Sequence, residues 1–162
     1  MHGGVEIKNT YKILLITAAV VVVLDQASKA AVMGNLSQDQ IIEVISGFFD
    51  LVYFRNPGAA FGIFNEGGLL RKLFLIATSS AALIVIWTLL KQSKDTAVSF
   101  GLSLIAGGAV GNLIDRIRFG SVVDFLYFHI GSYYWPAFNI ADSAITVGVV
   151  IAAFFFYFRH QK

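Results

Sequence analysis

The sequence predicts an all-α membrane protein: four transmembrane helices, with a small external β-sheet and a short amphipathic helix at the membrane surface. Three observations carry that prediction. Of 162 residues, 57% are hydrophobic and 14% charged, and the mean hydropathy is +0.73, which is too apolar for an ordinary soluble domain. Four apolar segments approach the roughly 20 residues that cross a hydrocarbon core. The length suits one domain at about 150 residues per domain, so residues 1–162 are read as a single membrane domain. The Met-His-Gly-Gly start resembles a cloning scar and is left out of fold reasoning.

The first predicted helix runs from about Lys12 to Met33; its core ILLITAAVVVVL is followed by Asp25, Ser28 and Lys29. That span is too long, and too charged at its far end, for a signal-peptide core, so it is read as a retained helix. Leu73 to Leu90, Ala97 to Ile117 and Asn139 to Phe158 are the other spanning segments. Positive residues orient them. Lys8, Lys12, Lys91, Lys94, Arg159 and Lys162 collect at one end and mark it cytoplasmic, with Arg71 and Lys72 as a local counter-signal. Both termini are then cytoplasmic, and segments 34–71 and 118–138 are external. In the first, Ser37 to Ile45 is read as the short amphipathic helix. Phe48 to Phe54 is read as a strand ending at the turn Asn56-Pro57-Gly58, and Phe61 to Phe64 as a returning strand. In the second, Ser121 to Phe128 is β-rich, and Tyr133, Tyr134 and Trp135 form an interfacial aromatic belt.

The net charge of +2 and the scattered cations exclude a nucleic-acid face, and the absence of cysteine excludes disulfides and thiol chemistry. His2, His129 and His160 form no HExxH pair, and there is no GxSxG elbow or Walker loop. No metal or cofactor is expected.

The charges placed inside apolar sequence need partners, because each costs about 2.5 to 3.5 kcal/mol at a helix centre. Asp25 and Lys29 stand at i,i+4 in the favourable acid-first order, either as a packing ion pair or as part of a site. Gly108, Asn112 and Arg116 line one stripe of the third helix, with Asp115 on an adjacent face. That stripe is either a packing seam or a polar site. Asn139 and Asp142 occupy the cap and first turn of the fourth helix, where an acid is favoured in any case. Asp124 interrupts the apolar run Val122, Val123, Phe125, Leu126 close to the start of that helix. Two neighbouring carboxylates do not easily both ionise, so one becomes a base and the other an acid near neutral pH. The helix dipole favours charge on Asp142, making Asp142 the base and Asp124 the initial acid, although coupled titration makes the assignment reversible. A small transporter using Asp25, Lys29 and Arg116 as an ion relay is the rival reading. Against it, the charges lie toward one face, with none in the middle of the second or fourth helix. A purely structural membrane adaptor is a third reading, in which Asp→Asn changes at 124 and 142 would be silent.

Five segments together resemble the bacterial lipoprotein signal peptidases, or signal peptidase II: LDQASK at 24–29, FRNPGAAFGIF at 54–64, GGAVGNLIDRI at 107–117, GSVVDF at 120–125 and FNIADSAI at 138–145. The resemblance implies an aspartic endopeptidase of the bacterial inner membrane. Such an enzyme removes signal peptides from diacylglyceryl-modified prolipoproteins, cutting before the lipid-bearing cysteine. It implies Asp124 and Asp142 as the catalytic pair, and Asp25, Lys29, Asn56, Gly108, Asn112, Arg116, Asn139 and Ala141 as supporting or substrate-lining positions. It also implies lipid-modified prolipoproteins and membrane lipid as partners, and inhibition by the cyclic peptide globomycin.

Overall fold

The computed structural model describes residues 3–58 and 68–159. The expected return strand at Phe61 to Phe64 lies outside them. Four helices carry the fold: α1 (Gly3–Asn35), α2 (Leu69–Gln92), α3 (Thr96–Phe119) and α4 (Ile140–Arg159). Each contains a stretch long and apolar enough to cross a membrane, and a helix satisfies its own backbone there. The chain is a multi-pass membrane protein.

Local chemistry terminates α3 at both ends. Asp95 caps α3 through its Oδ1, which accepts from the Ala97 and Val98 amides at 2.7 and 3.1 Å. Gly120 closes α3 in the left-handed region at φ +74°, and its N–H returns to the Arg116 carbonyl. Helix α3 packs against α1, α2 and α4, and small residues set how close α4 comes. A Cβ on Gly148 would lie 2.5 Å from the Gly101 carbonyl oxygen, and one on Gly108 would collide with the Ala141 carbonyl oxygen. The α3–α4 seam is therefore backbone against backbone, as small residues permit in membranes. Ile86, Leu90, Leu102 and Ala106 fill the space between α2 and α3.

At the opposite end from Asp95, four antiparallel strands form a sheet in the order β1 (Ile41–Ile45), β2 (Phe49–Asn56), β3 (Val122–Ile130) and β4 (Tyr133–Tyr134). The sheet rests on the end of α1 through a core of Val32, Leu36, Tyr53, Val123 and Phe125. A register shift in β2 between Leu51 and Phe54 sets Phe54 opposite Asp124 and Asn56 opposite Val122. Tyr133 and Trp135 are 84% and 68% exposed, as an interfacial aromatic group requires.

One element differs from the sequence prediction. Ser37 to Ile45 is not a short amphipathic helix: residues 37–40 form a turn, and Ile41–Ile45 is the edge strand β1. Four of its five residues are β-branched and pack better on a pleated surface than on a helix. Asp39, at φ +65°, breaks any helical start. The ladder with β2 then supplies the hydrogen bonds that a helix would have made internally.

Candidate functional site

Polar side chains from all three packing directions meet where the sheet touches the helix ends. Asp124 lies in β3, just beyond the glycine cap of α3, and is 2% exposed. Asp142 sits in the first turn of α4 and is only partly buried. One residue, Asn139, joins them. Its side-chain amide donates to Asp124 Oδ1 at 2.8 Å, and its backbone N–H donates to Asp142 Oδ2 at 3.3 Å. In return the Asp142 amide donates to Asn139 Oδ1 at 2.9 Å, closing a reciprocal cap at the start of α4. Asn139 is fully buried, and its Nδ2 also reaches the Val123 carbonyl at 3.1 Å and Asn112 Oδ1 at 3.3 Å.

The remaining oxygen of each carboxylate has its own amide donor. Asn56, at the end of β2, donates to Asp124 Oδ2 at 2.9 Å. Asn112, on α3, donates to Asp142 Oδ1 at 2.8 Å. No cation pairs directly with either carboxylate among the described residues. Burial therefore dominates at Asp124 and pushes its carboxyl up from 3.8 to about 6. The Asn56 hydrogen bond opposes that shift, the Asp142 charge adds to it, and Asn139 and Lys29 work against it. The arrangement brings together one carboxyl that burial makes more reluctant to ionise and a second, more open one.

A separate ionic cluster lies behind this pair. Lys29 Nζ is 2.9 Å from Asp25 Oδ2, 2.9 Å from Asp115 Oδ2, and donates to Asn112 Oδ1 at 3.1 Å. Its three ammonium donors are thereby used. Each flanking carboxylate also holds a backbone N–H beside a site residue. Asp25 Oδ1 accepts from Ala141 at 3.0 Å, and Asp115 Oδ2 accepts from Val123 at 3.1 Å. The Gln26 amide bridges the two carboxylates at 3.1 and 3.0 Å.

Of the residues predicted from sequence, Asp25, Lys29, Asn56, Asn112, Asp124, Asn139, Ala141 and Asp142 fall in this one connected network. Gly108 serves it indirectly, since its missing Cβ lets the Ala141 backbone approach α3. Arg116 reaches α2, where its Nη1 donates to Ser79 Oγ at 3.1 Å, while its charge is still felt by Asp142, Asp115 and Asp124. Asp115 and Gln26 are the members that sequence reasoning left out of the site. Counting charges would have found Asp115, because Lys29 is one cation between two buried acids. Nothing in the spacing marks Gln26. Among the described residues, no three His, Cys, Asp or Glu side chains converge as metal ligands would.

Residues 17–158 match the family model described as signal peptidase (SPase) II. The lipoprotein signal peptidase of Desulforapulum autotrophicum is 50% identical over 141 residues, covering 85% of this chain and 87% of that protein. The corresponding protein of Syntrophotalea carbinolica is 47% identical over 140 residues, covering 86% and 87%. A solved bacterial membrane enzyme superposes with a TM-score of 0.78 at 33% identity, covering 87% of this chain and 90% of that one.

Proposed function

The chain belongs to the signal peptidase II family, and from that membership we propose a membrane-embedded aspartic endopeptidase acting on diacylglyceryl-modified prolipoproteins. It removes the signal peptide by cutting before the lipid-modified cysteine. Residues 1–162 act as one peptidase domain. The observation that carries the reading is the Asn139 bridge, which ties two carboxylates of unlike burial with no cation between them.

Asp142, partly buried and at the positive end of α4, is the base. It takes a proton from water as the water oxygen attacks the scissile carbonyl. Asp124 is the acid: burial raises its proton affinity, and in its protonated form it donates a hydrogen bond to the carbonyl oxygen as charge develops there. Collapse of the tetrahedral intermediate breaks the C–N bond as a proton passes to the leaving amine. Asn56 and Asn112 hold the outer oxygens, so each carboxylate keeps one orientation through the cycle. Asp25, Lys29, Gly108, Asn139 and Ala141 position the pair, and Arg116 braces α3 against α2. Globomycin, as an expected inhibitor, occupies the same region.

The termini are cytoplasmic and the site lies toward the external face. There a diacylglyceryl group, anchored in lipid, holds the cysteine near the bilayer surface. Purified enzyme in detergent with a lipidated precursor tests the chemistry. Asp124→Asn and Asp142→Asn are each expected to lower cleavage at least about a thousandfold while remaining folded; substantial cleavage by either variant rejects the two-carboxylate mechanism. Single cysteines at Lys94 and Gly131 are expected to label from opposite sides, and labelling from one side rejects the topology.

A further inference from the structure

A cavity of about 460 Å³ opens where α2 begins, beside the end of α3. Arg55, Arg71 and Lys72 line it together with Phe119, Gly120 and Ser121, and no carboxylate is among its described lining residues. Three features of these cations go unexplained by the contacts within the chain.

Arg55 is held in a fixed pose: Nε donates to the Tyr53 hydroxyl at 2.9 Å, and the guanidinium carbon sits 4.4 Å from the Phe119 ring centre. Its Nη2 has only the weak acceptor Met33 Sδ at 3.6 Å. Its Nη1 is buried with no hydrogen-bond partner among the described residues, and a buried donor left unmade is costly. Arg71 and Lys72 stand in the first turn of α2, where the helix dipole disfavours cations. That turn contains no acid, and its cap, Gly68, supplies no side-chain bond. Lys72 has a partial offset. Its Cδ passes 3.9 Å from the Cβ position at Gly120, so it runs beside the C-terminal end of α3, where a cation is favoured. Arg71 and the spare Arg55 donors have no such offset among the described residues.

A phosphate group meets all three demands, because its oxygens accept from guanidinium forks and from uncapped helix N–H groups alike. Position selects the source. Helix α2 is a membrane-spanning segment from Leu69, and Leu69 and Leu70 are 70% and 72% exposed, so the cavity sits at the depth of the headgroups. We propose that this cavity binds the phosphate-bearing headgroup of an anionic phospholipid. Because Arg55 precedes Asn56, whose amide bonds Asp124, an occupied cavity also pins the end of β2 next to the site.

Native mass spectrometry of the full chain, released from phosphatidylcholine nanodiscs containing a minor fraction of phosphatidylglycerol, counts the lipid retained. Wild type is expected to retain one phosphatidylglycerol. Retention should fall about tenfold or more in Arg71→Gln/Lys72→Gln and stay unchanged in Arg118→Gln, whose cation lies outside the cavity. Should the double variant fail to fold, Arg71→Gln alone is read in the same way. Equal retention by wild type and the cavity variants overturns the proposal. In nanodiscs of phosphatidylcholine alone, inorganic phosphate should leave the wild-type Tm unchanged. A rise in wild type but not in the double variant, without retained phosphatidylglycerol, assigns the site to free phosphate and overturns the lipid source. None of these readouts depends on peptidase activity.

Discussion

Two carboxylate pairs lie one layer apart in this molecule, and they are built in opposite ways. Asp25 and Asp115 share the ammonium of Lys29, and every one of their oxygens is occupied by a cation, an amide or a backbone N–H. Asp124 and Asp142 share an uncharged asparagine and have no direct ion pair among the described residues. The first pair is buried yet compensated, which suits a fixed joint between α1, α3, α4 and β3. The second has no such ion pair, so at Asp124 burial raises the proton affinity and the Asp142 charge adds to it, against the Asn56 and Asn139 hydrogen bonds. The two are wired together: Lys29 donates to Asn112, and Asn112 donates to Asp142. A buried ion pair here serves less as a source of stability than as a means of fixing where a reactive pair stands.

Removing the cation breaks this contrast most severely. Lys29→Met leaves two buried acids facing each other and is expected to cost about 3 to 5 kcal/mol, read as a lowered unfolding midpoint in detergent. A fall under about 1 kcal/mol would mean the joint does not depend on its charge. Gln26→Leu is milder, since Lys29 and two backbone amides remain. The expected loss is about 1.5 kcal/mol, with the pH profile of cleavage unchanged, because Gln26 touches neither Asp124 nor Asp142. A shifted profile would show that the two pairs are not separable.

The smallest effect on stability and the most informative on chemistry is expected from Asn56→Leu. The Asn56 hydrogen bond favours the ionised Asp124, so its loss raises the carboxyl above its value of about 6. The alkaline limb of kcat/KM then moves to higher pH by about one unit. Stability follows the same sign. A folded-state value raised from 3.8 means the bound proton contributes fully below 3.8, and the contribution is lost as pH rises through about 6. In Asn56→Leu that loss is displaced upward. An unmoved limb, with only the rate reduced, would assign Asn56 a structural part alone.

Much of the helical frame was legible because a spanning segment needs only length and apolarity, and α1 to α4 have both. Asp25 and Lys29 were legible as a pair because helical geometry places i and i+4 side by side. The strand β1 was misread, since Ile41, Ile42, Val44 and Ile45 around Glu43 fit either period, and only pairing with β2 decides between them. Arg116 was grouped with Asn112 from its stripe on α3, and its hydrogen bond to Ser79 on α2 is invisible to spacing within α3.

The sequence alone determined that the chain lives in a bilayer, how many times it crosses, and which residue types are available for acid–base work. These follow from local quantities: hydropathy, length and the cost of a charge in lipid. Tertiary structure alone decided that Asn139 spans Asp124 and Asp142, that Lys29 serves two acids, and that Arg55 keeps a donor without a partner among the described residues, beside Arg71 and Lys72. Each of these joins segments far apart in the chain, and hydrogen bonds shorter than about 3.2 Å are created only when packing sets the backbones that carry them.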